Sequence, residues 1–299
     1  MIETRLRTRI ADPAMDSLVG KVLGHRDYDL LLTGAARVLM PDGRPLCVYL
    51  PGALAQFTRD EEYYRVLSSI RLTTRNRGIA SGTRRLPAGP EGAQGSRTNS
   101  KEIISSVIGA LDPTGQQRYC RLTAWTGKHL PQWQTLHPML RAIAHSLERH
   151  VPDLYANQKT AADRTPPEWI IPGTPFTTVT VNSTYPTGVH TDKGDLEEGF
   201  STIACLRRGT YTGGQLVFPQ YRVAVDMRDG DLILMDAHQW HGNVAITCGC
   251  GHRLDKPCPG CDAERISLVS YYRTRMQHCG TADEEYAKAA AAAEKRSGL

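Results

Sequence analysis

An α+β fold is predicted, with a jelly-roll core flanked by helices. Three observations predict it. The second half of the chain carries many short apolar or alternating runs, broken by turns rich in Gly, Pro and Asp. The first half carries stretches with apolar residues at helical spacing. No run of about 18 apolar residues occurs, so nothing reads as a membrane span.

In chain order, the N-terminus is charged and lacks the apolar stretch of a secretory leader, so an intracellular protein is expected. Residues 38–50 read as two strands around the Pro41-Asp42-Gly43 turn. Residues 61–70 read as a helix. The character changes over 71–101, which carry Arg71, Arg75, Arg77, Arg84, Arg85, Arg97 and Lys101 against the single acid Glu91. Rich in Gly, Ser and Thr and poor in apolar residues, this stretch is expected to be a mobile basic loop. Residues 102–111 and 133–150 read as helices, the second from Leu136, Leu140, Ile143, Ala144 and Leu147. Strands are expected at 176–181, 201–206, 214–218, 222–227, 231–235, 244–247 and 266–272. An Ala-rich run, 284–296, predicts a last helix. We expect one domain over 1–299: a flank (1–167), a jelly-roll core (168–275) with a Cys-rich insertion (248–261), and a tail (276–299).

The formal charge of +5, from 36 Lys and Arg against 31 Asp and Glu, permits a polyanionic partner without demanding one. Its concentration in 71–101 is the more informative fact.

His190-Thr-Asp192 follows a strand, and His241 follows another. Two imidazoles and one carboxylate suit one face of an octahedral iron and leave the opposite face open for a chelating cosubstrate and dioxygen. His25-Arg26-Asp27 repeats the tripeptide without a second His at suitable spacing, so it is expected to be a decoy. Between the two metal motifs lies Thr212-Gly-Gly-Gln-Leu-Val-Phe-Pro219, whose paired glycines let strands turn and approach closely. Beyond His241, Arg265-Ile-Ser267 opens a strand. A guanidinium there suits the far carboxylate of 2-oxoglutarate, with the Ser267 hydroxyl beside it. His238 is the alternative to His241 as ligand. Arg273, on the same strand face, is the alternative to Arg265.

These residues resemble the 2-oxoglutarate dioxygenase superfamily. More narrowly, Phe176-Thr-Thr-Val-Thr-Val-Asn182, Gly188-Val-His-Thr-Asp-Lys-Gly-Asp-Leu196 and Trp240-His-Gly-Asn243 resemble its TET/JBP branch, phage members included, whose enzymes oxidise the 5-methyl group of pyrimidines in DNA. The resemblance is dense over 168–275. It implies a double-stranded β-helix core, Fe(II) on His190, Asp192 and His241, and 2-oxoglutarate on Arg265 and Ser267. It implies oxidative decarboxylation coupled to hydroxylation of the methyl group of a methylated pyrimidine in DNA, with 5-methylcytosine expected first. Thymine in DNA, and a peptide or small molecule, are the alternative substrates; an inactive jelly-roll DNA-binding module is the non-enzymatic alternative. Asp195 stands where the TET members carry a base-contacting Asn, and a carboxylate accepts from the cytosine amine. With Asn182, and with Arg75, Arg77, Arg84 and Arg85 on phosphates, it completes the expected substrate-binding set. A methyl stacked in duplex DNA must be flipped out to reach buried iron. Trp125, Trp133 and Trp240 are the stacking candidates, or else core residues.

Cys248, Cys250, Cys258 and Cys261 form C-x-C followed by C-x-x-C. Four thiolates at that spacing suit structural zinc, with His252 as an alternative ligand and an iron–sulfur cluster as the other option.

Overall fold

The computed structural model describes residues 1–74, 80, 102–115 and 117–297. Its strands are β1 (Ile2–Arg5), β2 (Leu30–Leu32), β3 (Ala36–Leu39), β4 (Pro45–Leu50), β5 (Thr73–Thr74), β6 (Ile103–Leu111), β7 (Arg121–Leu122), β8 (Thr178–Ser183), β9 (Ser201–Arg208), β10 (Tyr211–Thr212), β11 (Leu216–Phe218), β12 (Val223–Val225), β13 (Leu232–Met235), β14 (Gly242–Asn243), β15 (Ile246–Cys248), β16 (Arg253–Leu254) and β17 (Glu264–Tyr271). A ten-stranded sheet runs β1-β3-β4-β13-β9-β17-β8-β6-β5, with β7 beside β6. A four-stranded sheet, β14-β11-β12-β2, faces it, and β10-β15-β16 form a small third sheet. This is the double-stranded β-helix with flanking helices.

The two-residue period of the strands builds the layers. Val179, Val181, Ile266 and Leu268 point to one side of the large sheet and pack against Leu136, Leu140, Ile143 and Leu147 of helix Leu130–His150. Val38, Tyr49, Ile203 and Ile233 point to the other side and meet Leu216, Phe218 and Val223 of the facing sheet. Arg265, Ser267, Val269 and Tyr271, which alternate with Ile266 and Leu268 along β17, are thereby turned toward the space between the sheets.

One expected element is overturned. Residues 102–111 form strand β6, not a helix, antiparallel to β8. Ile103, Ile104, Val107 and Ile108 are β-branched and fit a pleated surface better than a helix. Gly109, at φ +87°, brings the Thr177 carbonyl to within 2.7 Å of where a Cβ would stand. The tail forms helix Ala282–Ser297 as expected. It is tied back by a Cys120–Cys279 disulfide, and the buried Glu285 carboxylate accepts from the Cys120 N–H at 2.6 Å. That disulfide spans 159 residues and had no signature in the spacing. Among the described residues no helix is long and apolar enough to cross a membrane.

Candidate active site

Between the two large sheets lies a cavity of about 630 Å³. His190, Asp192, His241, Arg265, Ser267, Asp195 and Asn182 all line it. Of the expected stacking residues, only Trp240 does. Trp125 and Trp133 are buried in the helix-side core.

His190 and His241 exchange backbone hydrogen bonds at 2.9 and 3.0 Å, which sets their rings side by side with centroids 4.4 Å apart. Gly242 makes this approach possible, because a Cβ there would stand 3.0 Å from the Val189 nitrogen. Asp192 reaches the same point after its N–H donates to the Ala237 carbonyl. The Nδ1 of His190 faces the Gly188 carbonyl at 2.7 Å, and that of His241 faces the Gln239 carbonyl at 2.9 Å. A carbonyl only accepts, so each Nδ1 donates and each Nε2 is turned toward the Asp192 carboxylate. The Asp192 carboxylate lies 3.5 Å from one Nε2 and 3.8 Å from the other. All three ligand atoms fall within 4.8 Å of one another, a spacing that one divalent ion spans. Burial, reinforced by His190, holds the His241 imidazole down to about 4, so it is neutral as a ligand must be.

His238 is outside this group. Its Nδ1 faces the Asp236 carboxylate at 3.2 Å and its Nε2 the Asp195 carbonyl at 3.4 Å. Both partners accept, and the bond to the Asp236 carboxylate pushes the His238 pKa up. The decoy is also excluded by geometry: His25 is exposed and its Nδ1 meets the Tyr28 hydroxyl, while Asp27 accepts from the Gly24 N–H.

Arg265 is 5% exposed, yet among the described residues no carboxylate lies within ion-pair distance of it. A guanidinium so placed has the geometry to receive a carboxylate in two parallel hydrogen bonds. Ser267, two residues on, shares its strand face. Thr184 holds Arg265 from the side: its N–H donates to the Arg265 carbonyl at 2.7 Å, and its Oγ1 accepts from the Arg265 N–H at 3.1 Å. Thr184 sits at φ +51°, a strained setting for a β-branched residue. Nothing in the sequence marked it. Arg273, by contrast, already has its acid: its Nε donates to Asp112 at 2.6 Å.

Toward the other side, Asp195 and Arg273 face each other across a backbone bridge. The Asp195 carboxylate accepts from the Ser201 hydroxyl at 2.5 Å. Burial and the neighbouring Asp192 push the Asp195 carboxyl above the usual carboxylate range. Asn182 accepts from the Ser105 hydroxyl at 2.7 Å. Thr180 and Tyr271, bonded through their hydroxyls at 3.0 Å, also line the cavity. Their places were readable from the two-residue period of β8 and β17, counted from Asn182 and Arg265. Arg75, Arg77, Arg84 and Arg85 lie outside the described residues.

The four cysteines gather apart from the cavity, with their Sγ atoms within 4.8 Å of one another. Cys248 and Cys258 are 3.8 Å apart. Tetrahedral zinc with bonds of about 2.3 Å separates its sulfurs by about 3.8 Å. The His252 Nδ1 stands 3.7 Å from the Cys258 sulfur, outside the group of four.

Residues 112–274 match a family model described as Tet_JBP, the oxygenase domain of the 2OGFeDO superfamily. Thymine dioxygenase JBP1 of Leishmania braziliensis is 31% identical over 176 residues, which are 58% of this chain and 20% of that protein. Its counterpart in Crithidia fasciculata is 32% identical over 197 residues, 65% of this chain and 23% of that protein. The chain thus spans about a fifth of the length of these curated relatives. Among solved structures, NgTET1 in complex with 5mC DNA shares the fold at a TM-score of 0.55 and 15% identity, over 84% of this chain and 81% of that one.

Proposed function

We propose that this chain, which belongs to the Tet_JBP family of 2-oxoglutarate- and Fe(II)-dependent oxygenases, oxidises the methyl group of a 5-methylpyrimidine in DNA. The observation that carries the reading is one cavity that gathers a two-His, one-carboxylate set, a buried Arg265 with no acid partner among the described residues, and a polar edge at Asp195 and Arg273. His190, Asp192 and His241 would hold the iron. Bound there, iron supplies the activation of dioxygen, coupled to decarboxylation of 2-oxoglutarate, that C–H hydroxylation requires. The chain supplies the rest. The Gly188 and Gln239 carbonyls fix which imidazole nitrogens face the metal. Arg265 and Ser267 receive the far carboxylate of the cosubstrate. Ile203, Leu216, Met235 and Val269 form an apolar wall that excludes water.

Asp195 and Arg273 would read the flipped base. Against cytosine, Asp195 accepts from the exocyclic amine and Arg273 donates to N3; thymine presents the O4 carbonyl in place of that amine, and a carboxylate does not match it. The carboxylate's match to an amine favours 5-methylcytosine as the first reading. The 31–32% identity to proteins named thymine dioxygenases favours thymine as the second. Of the three tryptophans considered for stacking, Trp240 is the one that lines the cavity. The basic stretch around Arg75, Arg77, Arg84 and Arg85 would supply phosphate contacts, which position without specifying. Two DNA pools test the base choice, one with 5-methylcytosine and one with thymine as the only methylated pyrimidine. Hydroxymethylcytosine from the first pool supports the first reading, and hydroxymethyluracil from the second pool supports thymine. Oxidation of neither, with a peptide or free metabolite hydroxylated instead, would sink both.

Cys248, Cys250, Cys258 and Cys261 would hold a structural zinc, as their sulfur spacing suits. Elemental analysis should find close to one zinc per chain, lost on replacing Cys258 and Cys261 by serine.

A further inference from the structure

We infer that the metal held by the four cysteines braces Arg265, so that occupancy of the cysteine site sets affinity for the dicarboxylate cosubstrate; this rests on the reading of Arg265 given above. The ligands come from two limbs. Cys248 ends β15 with Cys250 in the turn after it, and Cys261 precedes Arg265 by only Asp262, Ala263 and Glu264. Strand β10 is held between these limbs by two left-handed glycines. A Cβ on Gly209 would stand 2.6 Å from the Asp262 carbonyl carbon, and one on Gly213 would stand 1.8 Å from the Ala245 oxygen.

Tyr211, on β10 between those glycines, packs with Ile246, Cys248, Leu254, Cys258 and Ala263. A satellite core this small cannot order itself, and two of its members are metal-ligand candidates. Thiolate–metal bonds would supply the missing folding free energy. The core is linked to Arg265 in two ways. The Arg207 guanidinium lies 3.8 Å from the Tyr211 ring centre and donates to the Tyr211 carbonyl, and Arg207 is the cross-strand partner of Arg265. On the other side, the bare face of Gly214 receives the Arg265 Cδ and the Ile246 Cγ1 together, each 3.4 Å from where a Cβ would be. Ile246 is two residues from Cys248. Metal in the cysteine site would therefore steady the strand that pairs with Arg265 through Arg207, and the Ile246 side chain that shares the bare face of Gly214 with the Arg265 stem. Without it the insertion frays, and the guanidinium must be ordered at the moment of binding, a loss of preorganisation.

The test uses the full chain with Mn(II) in place of iron, without oxygen, and titrates 2-oxoglutarate calorimetrically. Zinc-loaded wild type should bind. Replacing Cys258 and Cys261 by serine should remove the zinc and weaken binding about tenfold, within the range expected when a charge-assisted contact is compromised. Zinc chloride added back to chelator-treated wild type should restore it. Ile246→Ala should weaken binding while zinc content stays unchanged. In an Arg265→Ala background, zinc loss should have no further effect on binding. Equal affinity with and without zinc, or with Ile246→Ala, overturns the brace. So does wild type that contains no zinc as purified, or a far-UV spectrum that collapses on zinc loss, since the main sheets should survive it. Zinc-loaded wild type that binds no 2-oxoglutarate would overturn the reading of Arg265 itself.

Discussion

Replacing Thr184 by valine tests how Arg265 is held. Thr184 is 1% exposed, and its hydroxyl oxygen accepts from the Arg265 N–H. Valine keeps the volume and the β-branch, so the strain at φ +51° remains the same and drops out of the comparison. What changes is the acceptor: the Arg265 N–H is left buried and unpaired. Such an orphan costs about 1–3 kcal/mol. Thr184→Ser is the control, because it keeps the oxygen and loses one methyl, about 0.8 kcal/mol. The expected order of stability is wild type, then serine, then valine, with Tm lowered by about 4 °C for a loss of about 2 kcal/mol in a chain this large. Denaturant titration and calorimetry measure the stabilities, and 2-oxoglutarate titration should find weaker binding for valine than for serine. A valine variant as stable as wild type, or more stable than the serine variant, would refute the reasoning.

Asp192→Ala should lose iron binding and turnover at an unchanged Tm, whereas His25→Ala should change neither; wild-type activity in the Asp192 variant at saturating iron would count against the ligand assignment. Arg265→Ala should raise the KM for 2-oxoglutarate at least tenfold, because a charge-assisted contact is worth about 1.5–3 kcal/mol, while Arg273→Ala should leave 2-oxoglutarate binding nearly unchanged. The reverse pattern, read by titration, would exchange their roles. Asp195→Asn should relax the preference between 5-methylcytosine and thymine by about tenfold or more, since each good base contact is worth about 1–3 kcal/mol of discrimination; competition between the two DNA pools measures it. Leu268→Ala should destabilise by about 2–5 kcal/mol, because Leu268 is fully buried between β17 and helix Leu130–His150.

Much of the fold was legible because its strands are short, alternating and bounded by turn residues. The Val179 and Val181 pair and the Ile266 and Leu268 pair announce their faces by spacing alone. Residues 102–111 were misread because Ile103, Val107 and Ile108 satisfy a helical period as well as a strand, and only pairing with β8 decides. His190, Asp192 and His241 were legible as a motif, but the choice between His241 and His238 needed the Asp236 contact, which is a matter of side-chain direction. Likewise Arg265 and Arg273 lie on one strand face, and it is Asp112, remote in sequence, that occupies Arg273. Thr184 carries no signal because backbone strain is set by the chain's path. Cys120 and Cys279 could not be paired from spacing, since they are joined by the route of the whole chain between them.

The central claim is tested most directly by coupling. Protein loaded with Fe(II), in air, with 2-oxoglutarate and DNA containing 5-methylcytosine and thymine, is assayed for succinate and for oxidised nucleosides by mass spectrometry. Hydroxymethylated pyrimidine should appear in proportion to succinate, and both should be absent with Asp192→Ala. Succinate formation that tracks hydroxylation of a peptide or free metabolite, with no oxidised pyrimidine in the DNA, would contradict it.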